Sequence, residues 1–310
     1  MHKRVICLMG PTATGKTEVA MRLSDQLPIQ IISVDSAMIY RGMDIGTAKP
    51  DAQTLGQYPH QLVDICDPTE RYSTADFRRD ALVAIEESFN AGKIPLLVGG
   101  TFLYFQSLLE GISPIPAVSQ AILDDLAEAL ASKGSPALHQ ILSEVDPESG
   151  ARLNPNDSQR VVRALSVYYE TGKPLTYFWS LPKQAGMPYP FIKLALANHD
   201  EKKRNQQIAL RYEAMIEQGL VAEVERLRQM YPELDLDYPS MRAVGYRQIW
   251  NYLEGETSLE EAVELAIIAT RQYAKRQRTW LRRETDLNTY DVAAPNFLSV
   301  LTENVLQFLA

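Results

Sequence analysis

Two cysteines, Cys7 and Cys66, stand far apart in a chain of 310 residues. That usage excludes a disulfide framework and fits a reducing compartment, so a cytoplasmic location is expected. The four histidines, His2, His60, His139 and His199, show no metal-ligand spacing, which argues against a zinc-type centre. No apolar run approaches the roughly 20 residues that a membrane-spanning helix needs, so no membrane partner is expected. Basic residues are outnumbered, 31 Lys and Arg against 39 Asp and Glu, for a net charge of −8. Taken as an average, that balance argues against nucleic-acid binding, but an average hides patches. Internal repeats and low-complexity tracts are lacking as well. The opening MHKRVICLMG has the basic start and short apolar run of a signal peptide, yet it lacks a cleavage site and leads straight into a glycine loop. It is expected to be a strand. What remains is the composition of a globular protein long enough for one large domain or two smaller ones.

The first third alternates short apolar runs with helical periods. Arg4–Met9 is an apolar run, Thr17–Gln26 is helical, and the β-branched run Gln30–Val34 ends at Asp35. Phe77–Asn90 has helical spacing and stops at Ala91-Gly92, Ile94–Val98 ends at Gly99-Gly100, Leu103–Leu109 is helical, and Phe191–Ala197 is a further strand. Strands separated by helices predict an α/β fold with a parallel sheet flanked by helices on both faces. Between about Ser113 and Met187 the texture changes. Pro114 and Pro116 at one end, and the Pro/Gly-rich stretch from Pro182 to Pro190 at the other, bracket helical patterns at Ser119–Ser132, Pro136–Val145 and Asp157–Thr171. The expected organisation is a core of residues 1–113 and 188–310, with a helical insertion of residues 114–187 between the strands Ile94–Val98 and Phe191–Ala197. After Asn198 the periods at Lys202–Met230, Ser258–Arg283 and Phe297–Leu309 predict a helical C-terminal region.

Gly10, Pro11, Thr12, Ala13, Thr14, Gly15, Lys16 and Thr17 fit the pattern G-x-x-x-x-G-K-[ST], placed between an expected strand and an expected helix. That is the context of a phosphate-binding loop rather than a chance glycine turn. Backbone N–H groups of such a loop surround an anion. Lys16 adds a point charge, and the Thr17 hydroxyl is the expected ligand to Mg²⁺. The loop does not name a reaction, since ATP hydrolysis, phosphoryl transfer and diphosphate departure all use one. The GTPase companion Asn-Lys-x-Asp is lacking, and Ile94–Val98 runs into Gly99-Gly100-Thr101 instead of an acidic residue. Asp35 is the carboxylate expected at a strand end facing the ligand crevice. From its surroundings alone it could position Mg²⁺ or its waters, accept a proton from an attacking nucleophile, or cap a helix.

Further motifs accumulate in a fixed order: DSAMIYRGMDIGTAKP at 35–50, PHQLVDICDP at 59–68, YSTADFRRDA at 72–81, PLLVGGTFLYFQSLLEG at 95–111, NPNDSQRVVRALSVYYETGKPL at 154–175, MRAVGYRQIWNYLEGE at 241–256 and TRQYAKRQRTWLRRE at 270–284. Together they resemble the tRNA dimethylallyltransferases, which prenylate N6 of adenine 37 beside the anticodon. The resemblance covers nearly the whole chain and implies a P-loop NTPase-like core. It implies that the loop holds the diphosphate of dimethylallyl diphosphate as a leaving group, assisted by Mg²⁺. It makes Asp35 the group that accepts a hydrogen bond from the adenine amine and takes its proton. Thr101 matches a family position at the mouth of the channel admitting the base, and is also placed to cap Leu103–Leu109. Arg211 matches a family arginine that orients the substrates or the diphosphate, against the alternative of a solvated helix face.

The RNA side is legible from the residues themselves. Arg271, Lys275, Arg276, Arg278, Arg282 and Arg283 crowd a stretch that no acidic residue interrupts, and Tyr273 and Trp280 are interleaved. On a helix, Arg271, Lys275, Arg278 and Arg282 share one face. Charge for phosphates and rings for unpaired bases suit RNA. Gln159, Arg160 and Arg163 open a helix in the insertion, and Arg242 and Arg247 flank Gly245-Tyr246 in a turn. The resemblance implies tRNA contact, at the anticodon loop, for Asp35, Ser36, Ala37, Met38 and Thr101. It implies the same for Gln159, Arg160, Val161, Val162 and Arg163, and for Arg242, Ala243, Val244, Gly245, Tyr246 and Arg247. The last set is Lys275, Arg276, Gln277, Arg278, Thr279, Trp280, Leu281 and Arg282. A monomer is expected.

Two positions depart from the family pattern. Phe102 stands where Gly or Met is frequent, a bulkier residue that could reshape the channel wall while keeping it apolar. Leu123 stands where an RNA-contacting Arg is frequent, so that contact is not carried over. Three other functions compete: a small-molecule kinase using ATP, which has no need of the basic C-terminal helix; a prenyltransferase acting on free adenine nucleotide, which leaves the insertion and residues 240–283 idle; and a non-catalytic nucleotide-dependent RNA-binding switch, which tolerates loss of Asp35.

Overall fold

A computed structural model describes residues 3–310; His2, one of the four histidines, lies outside the described residues. The chain forms β1 (Val5–Met9), α1 (Lys16–Ser24), β2 (Ile29–Val34), α2 (Ala52–Gln57), β3 (His60–Gln61), α3 (Thr74–Asn90), β4 (Ile94–Gly99) and α4 (Phe102–Glu110). It continues through α5 (Gln120–Val145), α6 (Pro147–Arg152), α7 (Ser158–Thr171), α8 (Leu175–Ser180), β5 (Phe191–Ala197), α9 (Glu201–Glu217) and α10 (Leu220–Met230). It ends with α11 (Tyr246–Leu253), α12 (Leu259–Leu281), β6 (Leu287–Asp291) and α13 (Phe297–Leu309). None of the helices described is long and apolar enough to cross a membrane.

The six strands form one parallel sheet in the order β3-β2-β4-β1-β5-β6. Residues of β1 and β4 are buried throughout, because helices cover both faces. On one face Ile6, Leu8, Ile31, Leu96 and Leu194 pack against Val19 and Leu23 of α1 and Leu301 and Val305 of α13. Alternation turns Ile32 and Leu97 to the other face, where α3 lies against β2 and β4 and buries Phe77, Ala81 and Ile85. A second cluster, built on Ile208, Tyr212, Leu220, Val224, Tyr246, Ile249 and Ala266, binds α9 to α12 together with the stretch after β2.

The expected strands and helices occur at the expected places; the short elements α2, β3, α6, α8 and α11 were not expected, and two further differences stand out. The period Lys202–Met230 is split into α9 and α10 at Gly219, which takes φ 98° and so breaks the helix without disturbing the apolar spacing. Strand β6 was not expected. Of its residues only Tyr290 is buried, so LNTYD carries little strand signal.

The contacts divide the chain into residues 1–108 with 188–310, and residues 109–187. The insertion begins at Leu109 instead of Pro114, because its two ends run together: Gln184 N–H donates to Ile112 O at 2.8 Å, and a Cβ on Gly186 would stand 2.1 Å from Leu109 O. Its core is Leu126, Leu138, Leu142, Val161, Leu165 and Phe178. Gly134, at φ 78°, kinks α5 between the two helical patterns read from the sequence.

Candidate active site

The loop between β1 and α1 leaves a fully buried strand, so the core fixes where it starts. Ala13 (φ 61°) and Gly15 (φ 76°) take left-handed conformations, the backbone of an anion nest. The Thr14 hydroxyl donates to Pro11 O at 2.9 Å, and Lys16 Nζ donates to the same oxygen at 2.7 Å. Burial pushes the Lys16 ammonium down to about 8, with Asp35 opposing the shift and Arg211 adding to it. A buried lysine facing an arginine is a site short of negative charge.

Asp35 follows β2. Its Oδ1 accepts the N–H groups of Ala37 at 2.8 Å and Met38 at 3.3 Å. The capping alternative is therefore realised in part, but on a turn, since no helix follows here. Thr101 follows the neighbouring strand β4, and its hydroxyl accepts the N–H of Ser36 at 3.1 Å. Its carbonyl accepts the N–H of Tyr104 at 3.0 Å and of Phe105 at 3.3 Å, so Thr101 also starts α4. The approach of the two strand ends requires glycine: a Cβ on Gly99 would lie 2.0 Å from Val34 O.

Arg211, on α9, is not a solvated helix face. Nη1 donates to the Thr12 hydroxyl at 3.3 Å and Nη2 to Thr47 O at 3.4 Å, and burial lowers its pKa. Residues 44–47 are held in turn by Glu223, whose buried carboxylate accepts the N–H groups of Asp44 (3.1 Å), Ile45 (2.9 Å) and Gly46 (3.2 Å) and the hydroxyl of Tyr246 (2.6 Å).

Two cavities meet at these residues. One, of about 340 Å³, is lined by Ser36, Ala37, Tyr212, Met215, Ala243, Val244, Thr270 and Arg276. The other, of about 290 Å³, is lined by Thr14, Gly15, Lys16, Thr17, Ser33, Met38, His60 and Gly100. Thr12, Ala13, Asp35, Thr47, Arg211 and Tyr273 line both. Among the described residues no group of three or more His, Cys, Asp or Glu could hold a metal ion by itself. The hydroxyls of Thr17 and Ser33 and the carboxylate of Asp35 line the second cavity. That sparse oxygen set suits Mg²⁺, which keeps several waters and takes further ligands from substrate phosphates.

Residues 38–284 match the family described as IPP transferase. The tRNA dimethylallyltransferase 2 of Hahella chejuensis is 50% identical over 296 residues, which cover 91% of this chain and 89% of that protein. The chain belongs to the tRNA dimethylallyltransferase family. It is a transferase that modifies tRNA. The tRNA isopentenylpyrophosphate transferase of Bacillus halodurans superposes with a TM-score of 0.72 at 33% identity, covering 99% of this chain and 97% of that one. A eukaryotic dimethylallyltransferase caught acting on tRNA superposes with a TM-score of 0.80 at 25% identity, covering 98% and 78%. The sheet is accordingly the P-loop NTPase-like sheet of these enzymes.

The residues matched to the family's tRNA contacts divide by burial. Ser36, Gln159, Arg160, Arg163, Arg242, Arg247, Lys275, Arg276, Thr279 and Arg282 are exposed, and Ala37, Val162, Ala243, Val244, Arg278, Trp280 and Leu281 are half-buried. Val161, Tyr246 and Gln277 are corrections. Val161 is in the core of the insertion, Tyr246 is committed to Glu223, and Gln277 is bonded to Thr12 and Gly100, so none offers its side chain to RNA. Gly245 is also buried; its φ of 100° starts α11. Arg160 pairs with Asp157, the cap of its own helix. Phe102 is buried against Phe105 and lines neither cavity. Leu123 is half-buried.

Sequence reasoning missed Glu223, Thr47, His60 and the inward role of Tyr273. Thr47 and His60 lay inside motifs that carry the family resemblance. Tyr273 and Gln277 continue the buried stripe of Ala262, Ala266 and Ala274 on α12, which was the available signal.

Proposed function

We propose that the enzyme transfers a dimethylallyl group from dimethylallyl diphosphate to N6 of adenine 37 in the anticodon loop of tRNA, releasing diphosphate. The observation carrying this reading is the pair of cavities that share Asp35 and Arg211. The adenine occupies the cavity of Tyr212, Ala243 and Val244, and the diphosphate occupies the cavity of Lys16 and Thr17. N6 attacks the allylic carbon, the N–C bond forms as the C–O bond breaks, and the electron pair leaves with the diphosphate. The Asp35 carboxylate, its orientation fixed by the N–H groups of Ala37 and Met38, accepts the hydrogen bond and then the proton of N6. Lys16, Arg211 and the loop N–H groups stabilise the charge gathering on the leaving group. The Thr17 hydroxyl would hold Mg²⁺, which would supply further positive charge against the diphosphate.

The exposed basic face of α12 and the start of α7 supply phosphate contacts, and a loop adenine costs less to extrude than a paired one. The two buried free cysteines suit the cytoplasm. The test is incubation with dimethylallyl diphosphate, Mg²⁺ and an unmodified tRNA bearing adenines at 36 and 37, followed by mass spectrometry of the nucleosides. Isopentenyladenosine at position 37 is expected; an unchanged adenosine contradicts the proposal.

A further inference from the structure

Helix α12 has two faces with different duties. Lys275, Arg276 and Thr279 are exposed on one, whereas Ala274 and Gln277 are buried on the other. Gln277 is only 4% exposed. Its Oε1 accepts the N–H of Thr12 at 2.9 Å, and its Nε2 donates to Gly100 O at 2.9 Å. A Cβ on Gly100 would stand 2.4 Å from that Nε2, so a side chain at position 100 would expel the amide. Four residues earlier on the same face, the Tyr273 hydroxyl shares hydrogen bonds with the side chains of Thr101 and Gln277, and burial raises its pKa to about 12.

One amide thus ties three things together: the start of the phosphate loop after β1, the Gly100–Thr101 corner after β4, and a turn of the helix that carries Lys275, Arg276 and Arg278. Both ends of the amide are engaged, so the group cannot rotate without breaking a buried hydrogen bond. A shift of α12 moves Thr12 and Gly100 with it. Thr12 in turn carries the hydroxyl that receives Arg211.

We infer that Gln277 is a positioning residue that couples tRNA engagement on the outer face of α12 to diphosphate binding in the loop. The inference rests on the proposed assignment of that face to tRNA. Coupling of this kind is reciprocal: whatever factor tRNA adds to diphosphate affinity, diphosphate adds to tRNA affinity. A residue that merely holds the fold together would change stability and leave that ratio alone.

The experiment titrates inorganic diphosphate with Mg²⁺ into the full-length protein by calorimetry, with and without saturating unmodified tRNA. The wild type is expected to bind diphosphate about tenfold more tightly when tRNA is present, a typical coupling. Gln277→Met fills a similar volume but breaks both hydrogen bonds, and is expected to bring the ratio close to one. Gln277→Glu, which keeps an oxygen for the Thr12 N–H, is expected to recover part of it. Tyr273→Phe deletes one hydroxyl and carries the same test, with a reduced ratio expected, should Gln277→Met fail to fold. A ratio unchanged in the variants, or a wild-type ratio of one with both ligands bound, overturns the inference while leaving the proposed function standing. A wild type that binds diphosphate but no tRNA contradicts the proposed function and removes this inference with it.

Discussion

Asp35 and Thr101 sit just beyond the ends of adjacent parallel strands and are joined through the residue between them in space: Ser36 donates its N–H to the Thr101 hydroxyl at 3.1 Å, directly after the carboxylate that holds the turn. The Asp35 carboxylate is therefore positioned by backbone, not by a flexible side-chain partner. Replacing Asp35 with Ala is expected to lower kcat by about 10²- to 10⁴-fold, the usual contribution of a positioned general base. Binding of tRNA, followed by filter retention or fluorescence, is expected to persist. Full turnover in Asp35→Ala contradicts the assignment.

The lysine of the loop gives a pH prediction. Lys16 is charged below a pKa of about 8 and neutral above it. The charged form is the one that attracts diphosphate, so kcat/KM for dimethylallyl diphosphate is expected to fall as pH rises through about 8. For the empty protein the sign is opposite. A folded pKa below the ordinary 10.5 means that the folded state holds fewer protons between about 8 and 10.5, so this group's contribution to stability grows as pH rises through that window. Thermal melts across it, with and without diphosphate, separate the two effects. A kcat/KM that stays flat as the pH passes through this range counts against Lys16 as the titrating group.

Glu223 makes a prediction about stability. Its carboxylate satisfies three backbone N–H groups and a tyrosine hydroxyl in a buried setting. Glu223→Ala leaves them unpaired and is expected to cost about 3 kcal/mol in urea unfolding, with a smaller loss in Glu223→Gln. Because Gly46 and Thr47 line the cavity proposed for the adenine, KM for tRNA is expected to rise as well. A loss under about 0.5 kcal/mol, the level of an ordinary surface change, contradicts this role.

The outer face of α12 is tested by salt. Replacing Lys275 and Arg278 together with Ala is expected to weaken tRNA binding and to reduce the slope of log affinity against log salt by about 1.5, since each phosphate left without its cation lowers the slope by roughly 0.7–0.9. An unchanged slope removes these residues from the interface.

Much of this was readable in the sequence, for reasons that also mark where reading stops. The loop from Gly10 to Thr17, the strand ending at Asp35 and the basic stripe of α12 are local signals, carried by spacing within one turn or one strand. Gln277 and Glu223 are different. Their partners Thr12, Gly100 and Asp44 to Gly46 lie far away in the chain, and nothing near a glutamine or a glutamate in a helix announces that its side chain points inward. Gly219 was visible as a residue, but the apolar period runs across it undisturbed. Strand β6 joins the sheet by pairing its backbone with β5 while most of its side chains remain wet, so no hydrophobic pattern marks it.

In the proposed reaction the phosphate loop holds a leaving group instead of a phosphoryl donor. Doubly labelled dimethylallyl diphosphate, with carbon-14 in the allyl group and phosphorus-32 in the diphosphate, tells these apart when incubated with the enzyme, Mg²⁺ and unmodified tRNA. Carbon-14 is expected to enter the RNA while all phosphorus-32 is recovered as free diphosphate. Phosphorus-32 on the RNA, or carbon-14 that never leaves the small molecule, contradicts the leaving-group role.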